Sequence, residues 1–167
     1  MTPFISFLVF CQALGASTGA LSAVWSELAY VRAMRDGKID VAERAHLHSI
    51  ERGLRFGMFL LLLSSFGLIV TSYVLQATLQ PALSASYWTL IALALLIILI
   101  SWALSRRRIS FALGSAIVFT AWWFLAYLTL GQLPPLSFGA AVAFFVVATV
   151  IFYALLEYGR FLSLHKR

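Results

Sequence analysis

Two carboxylates stand in or beside long apolar runs of this chain, Glu27 near the end of the first run and Glu157 near the end of the last. An ionisable group in a bilayer is costly, so such residues are functional candidates by default, as proton relays, ion contacts or ligand counter-ions. Their depth argues for a milder role. Glu27 lies about one turn from Arg32 and Glu157 one turn before Arg160, so both are expected to form interfacial ion pairs. Glu27 is the more interesting, because it continues a stripe of small residues into the bundle. Gln12 is the third intramembrane polar candidate. No charge falls near the middle of any run, where an ion or proton pathway would need one or a wet polar lining.

The other reactive residue types form no constellation. His46 and His48 are two apart, which on a helix sends them to different faces, whereas two imidazoles sharing a metal need a spacing of four. No apolar run contains a histidine, and His165 lies in the tail, so a haem held by two axial imidazoles has no ligands. The segment from Asp36 to Asp40, with Glu43, imitates the second half of a calcium-binding loop. At the first and third positions, where that loop needs oxygens, stand Arg32 and Met34. A turn at Asp36-Gly37 followed by a capping pair, Asp40 and Glu43, explains the same residues and starts a helix at Val41. The single cysteine, Cys11, excludes an internal disulfide and a cysteine-pair site. No metal or cofactor is expected, and the chain is read as non-enzymatic.

The elements that position these residues follow from composition. Of 167 residues, 62% are apolar and 11% charged, against about 45–50% and about 25% in an ordinary soluble domain. Five apolar runs approach the ~20 residues that cross a bilayer as helix: 4–31, 54–76, 88–104, 109–130 and 137–158. The expectation is an all-α integral membrane five-helix bundle, one membrane domain over 1–167, with a cytoplasmic helical hairpin segment at 32–55. The apolar run at residues 1–20 lacks a basic start and continues past a signal-peptide core, so the first span is expected to be retained. Pro3, Pro81, Pro134 and Pro135 fall at the terminus or in turns, which leaves the spans uninterrupted. From Val41 to Gln76 no proline intervenes, predicting one rod of about 50 Å that begins outside the membrane.

All twelve Lys and Arg residues fall into three patches: Arg32 to Arg55, Arg106 to Arg108, and Arg160 with Lys166 and Arg167. The intervening turns carry no charge. Since cytoplasmic flanks retain cations, the N-terminus is expected outside and the C-terminus in the cytoplasm, in a bacterial inner membrane. This distribution also makes the net charge of +6 topological and argues against nucleic acid as a partner. Tyr73, Tyr87 and Trp88 at the outer level, with Trp25, Tyr30, Trp102, Tyr153 and Tyr158 at the inner, read as an aromatic belt.

Gly15, Gly19 and Ala23 form a small-residue stripe that lets another helix approach closely, either within the chain or in a homo-oligomer or membrane-protein partner. Phe7, Phe10, Leu14, Leu21, Val24 and Leu28 occupy the opposite side. Trp122 and Trp123 fall within the fourth run, where an indole is either bulk filler or the wall of a pocket for an apolar ligand.

The chain resembles a family of small, uncharacterised multi-pass membrane proteins found widely in candidate-phyla bacteria. The resemblance is carried by Leu14-Gly15-Ala16 to Gly19-Ala20, Val31-Arg32 leading to Asp36-Gly37-Lys38-Ile39-Asp40, Ser65-Phe66-Gly67, and Ser115 to Trp122. It implies a fold and topology and brings no activity. Where members often place an aspartate at the inner end of the first helix, this chain has Ser26-Glu27, and Cys11-Gln12 replaces a histidine near the outer end.

The leading expectation is thus a subunit, scaffold or assembly factor working through helix packing and the 32–55 segment, with the lipid bilayer as its constant partner. A small transporter or channel lined by Gln12, Glu27 and the Trp122-Trp123 region is one alternative. A pigment, quinone or lipid-binding protein is another. For topology, a fluorescent protein fused to the C-terminus is expected to glow and a periplasmic phosphatase fused there to be silent; the reverse pattern overturns the orientation.

Overall fold

The computed structural model describes residues 3–36, 41–75, 84–132 and 137–165. The calcium-like segment 37–40, the side chains of Glu43, His46, His48 and His165, Pro81, Pro134, Pro135 and the last two residues lie outside what is described. The described residues form five helices and no strand: α1 Pro3–Asp36, α2 Val41–Val74, α3 Ala85–Ser105, α4 Phe111–Thr129 and α5 Phe138–His165. Each contains a stretch long and apolar enough to cross a membrane, so the chain is a multi-pass helical bundle by length and composition. The expected runs locate all five, although α1, α2 and α5 run past them, because helix continues wherever no proline or glycine stops it. α2 begins at Val41, ten residues before its apolar stretch at Glu51.

Serines start three of these helices. Ser84, Ser110 and Ser137 each accept a hydrogen bond from the backbone N–H three residues on, at 3.2, 3.4 and 3.3 Å. Each thereby satisfies a donor that no intrahelical carbonyl reaches. α3 and α4 end in the same device. In both, three N–H groups past the helix turn back onto carbonyls of its last turn, with Arg107 (φ 53°) and Gly131 (φ 68°) in the left-handed region. Glycine suits that position; an arginine there costs roughly 1 kcal/mol.

The most extensive helix pairs pack antiparallel. Leu8 meets Gly67, Gly15 meets Leu61 and Ser22 meets Gly53 along α1 and α2. Gly19 meets Trp122 on α4, Leu104 of α3 meets Gly114, and Phe124 and Phe119 of α4 meet Phe145 and Phe152 of α5. One end of the bundle therefore gathers the close of α1, α3 and α5 with the start of α2 and α4. That is the end carrying the basic patches.

The glycines set the distances. A Cβ on Gly15 would lie 2.8 Å from the Gly57 carbonyl oxygen, and one on Gly57 would lie 2.7 Å from the Gly15 oxygen. At Gly19 it would stand 2.1 Å from the six-membered ring of Trp122. The stripe of α1 is thus used inside the chain, on α2 through Gly15 and on α4 through Gly19, with Ala16, Ala20 and Ala23 buried beside them. Phe7, Phe10, Leu14, Leu21 and Leu28 are exposed, as expected of a lipid-facing side, while Val24 is half-buried. Gln12 donates to Ser65 on α2 at 2.8 Å, which satisfies its amide within the α1–α2 contact.

α4 is the hub, packed by α1, α3 and α5. α2 packs chiefly on α1 and scarcely meets α3. Replacing Gly19 by Leu is expected to lower stability in detergent by about 1–3 kcal/mol through overpacking against Trp122. Gly139→Leu, where nothing lies within 4 Å, is the matched control and should stay within about 0.5 kcal/mol. Thermal melting of the two variants separates them.

Candidate functional site

The strongest polar constellation is built around Arg160, near the end of α5. Its guanidinium is only 7% exposed and lies against α1 and α4. One terminal nitrogen donates to Glu27 Oε2 at 2.8 Å and to Ser115 Oγ at 2.7 Å; the other donates to Glu157 Oε1 at 2.8 Å. The guanidinium carbon also sits 5.0 Å from the ring centre of Tyr30 and 5.6 Å from that of Phe111. Those two rings are stacked on each other at 4.2 Å.

Bringing a guanidinium out of water costs several kcal/mol, which one contact does not offset. Two charge-assisted bonds, a hydroxyl acceptor and two aromatic faces together do so. The partners come from three helices, so the cluster ties α5 to α1 and α4 at the basic end. Glu27 is buried, whereas the Glu157 side chain is 44% exposed and keeps contact with the surface.

This geometry corrects the expected partner of Glu27. The near cation in sequence is Arg32, which is exposed; the cation that Glu27 binds is Arg160, 133 residues away. The pairing of Glu157 with Arg160 stands, since an i,i+3 spacing on a helix brings the two together. Ser115, Tyr30 and Phe111 escaped the sequence reading. The available signal was Arg160 itself, a cation three residues past Glu157 on a helix otherwise apolar along its length. Tyr30 accordingly leaves the aromatic belt for the cluster, while Trp102 stays exposed at the basic end beneath the guanidiniums of Arg106 and Arg108.

Chemically the cluster is a clamp. The Ser115 hydroxyl accepts from Arg160 and donates to the Ala112 carbonyl at 3.1 Å, which leaves it no base to activate it as a nucleophile. Gln12 lies fifteen residues from Glu27 along α1, about 22 Å away, so the two do not share a site. Among the described residues no group of three His, Cys, Asp or Glu side chains is placed to hold a metal ion.

The two tryptophans part company. Trp122 is 1% exposed and packs its six-membered ring on Gly19. Trp123 is half-buried and lines a cavity of about 520 Å³ between α4 and α5. Six of the nine residues around that cavity are aromatic: Phe119, Trp123, Phe124, Tyr127, Phe144 and Phe152. Gln132 adds an amide, and the Thr120 hydroxyl is already committed to the Ala116 carbonyl at 2.8 Å. Both indole N–H groups are buried with no acceptor among the described residues. Such a donor costs about 1–3 kcal/mol until an acceptor arrives. A second groove, of about 360 Å³, opens between α2 and α3 with Trp122 in its lining. A smaller space of about 190 Å³ adjoins it at Leu54, Ser101 and Val118 and reaches Ala23 and Glu27.

Removing only the cation is expected to be the most damaging change to the clamp. Arg160→Met should destabilise the bundle by about 3–5 kcal/mol, because Glu27 remains buried without its partner. Glu27→Gln with Arg160→Met should recover part of that loss, and a double-mutant cycle on melting in detergent measures the coupling. Compared with protein-family models, with curated proteins and with solved structures, the chain has no match.

Proposed function

We propose that this chain is a non-enzymatic integral membrane protein that binds an apolar, ring-bearing small molecule of the quinone or pigment class between α4 and α5. The observation that carries the proposal is the aromatic cavity beside Trp123, with six aromatic side chains in its lining. A cavity of that size falls in the range of ligand pockets. Flat aromatic walls favour a planar ring by offset and edge-on contacts. The membrane is the bacterial inner membrane in this reading, with the basic end towards the cytoplasm, supported by the confinement of Lys and Arg to that end.

The transporter alternative gains less support, since Gln12 is bonded to Ser65 about 22 Å along α1 from Glu27, and only the spaces at Glu27 and Trp122 adjoin. The scaffold alternative has one specific observation in its favour. α2 is helical from Val41, so a rigid stub of about 15 Å precedes its membrane stretch and offers a surface to a partner. The small-residue stripe does not add to that surface, because α2 and α4 occupy it.

Purification from the host in mild detergent, with an absorption spectrum and organic extraction, tests the proposal. A bound chromophore or quinone is expected, and a short-tailed naphthoquinone should bind saturably to the stripped protein. Trp123→Ala should weaken that binding about tenfold through the loss of its ring contact. Ala148→Phe, which fills the cavity, should abolish it. A colourless preparation with no saturable binding, running as a stoichiometric complex with another protein, would transfer the conclusion to the scaffold.

A further inference from the structure

The groove between α2 and α3 is graded along its length. Leu54 and Met58 of α2, Ile97 and Ile98 of α3, and Val118 and Trp122 of α4 make an apolar trough. Towards the basic end the lining changes to Ser101, Ser105, Glu51 and Arg55. From Ser105 back to Ile97 the trough follows eight residues of α3, about 12 Å. That approaches one leaflet of a hydrocarbon core ~30 Å thick.

Cations stand at the mouth and just beyond it: Arg55 lines the groove, and the α3–α4 turn carries Arg106 and Arg108. Ile98, Ser101, Trp102 and Ser105 fall on one face of α3 at helical spacing. On the ring of Trp102 lie the guanidiniums of Arg106 and Arg108, 5.7 and 5.1 Å from its centre. The left-handed residue between them, Arg107, turns the chain so that both neighbours reach the same indole. Across the groove Arg55 is bonded to Glu51 and remains well exposed. Glu51 is the one acid among the residues lining the groove, with Arg55 beside it and Arg106 and Arg108 beyond the last turn of α3.

We infer that the α2–α3 groove is a binding site for one anionic phospholipid, with an acyl chain in the trough and its phosphate at the arginine rim. Length, polarity gradient and charge sign all match that occupant. The charge complementarity distinguishes it from a zwitterionic neighbour, since each cation close to an anionic headgroup adds to the attraction. The trough lies on the opposite side of α4 from the Trp123 cavity, so this site stands or falls independently of the quinone proposal.

Full-length protein in nanodiscs of phosphatidylcholine, with or without phosphatidylglycerol, tests it by native mass spectrometry of the lipids retained on release. One phosphatidylglycerol should be retained about tenfold in preference to phosphatidylcholine. Arg55→Gln should reduce that preference about fivefold, whereas Arg52→Gln, exposed and outside the groove, should change it less than about twofold. Ser101→Trp should plug the trough and eliminate retention. Should that variant melt early, the paired Arg106→Gln and Arg108→Gln exchange on the exposed turn gives the same reading without touching the interior. Equal retention of both lipids overturns the site. An Arg52→Gln effect as large as that of Arg55→Gln also overturns it, by reducing the preference to the general charge of the basic face. Release of the lipid by millimolar inorganic phosphate would mark a soluble-anion site and overturn it too.

Discussion

A single guanidinium governs how this bundle closes. Arg160 belongs to the helix with the least buried surface, one that faces lipid along most of its length. Apolar contact cannot hold such a helix in a bilayer, because lipid tails solvate leucine and phenylalanine as well as another helix does. A charge behaves differently: with its partners on α1 and α4 it is satisfied, and away from them it must find water. The position of α5 is therefore set by polar chemistry at one end and by aromatic contacts with α4 above it.

The other helices obey a steric rule. Gly15, Gly19 and Gly57 let α1 approach α2 and α4 until backbone meets backbone or indole, which brings enough atoms into contact for dispersion to hold them. Close approach on one side leaves α2 turned away from α3. The trough between them is thus a by-product of where the small residues lie, and the same holds for the cavity beside Trp123, which bulky rings on both α4 and α5 keep open.

Much of the architecture was legible because it depends on local quantities. Hydropathy located the five helices, the absence of proline before Gln76 implied the long second rod, and Asp36-Gly37 with Asp40 placed its start at Val41. The role of Gly19 was legible as close packing, but not that its neighbour would be Trp122. The partner of Glu27 was misread for the same reason: sequence distance favours Arg32, and only the return of α5 to the start of α4 brings Arg160 within reach. Cavities were the least legible feature. They are gaps between helices, and no residue type announces a gap.

The placement of Arg160 near the far end of the last helix also bears on biogenesis. The clamp cannot form until α5 has been synthesised, so the four helices before it assemble first, with Glu27 still hydrated at the basic end. Docking of α5 then withdraws both charges from water in one step, which makes its arrival a latch on the four helices made before it. A chain interrupted before α5 would keep that carboxylate hydrated and leave open the faces of α1 and α4 that α5 covers, a lesion that membrane quality control is well suited to detect.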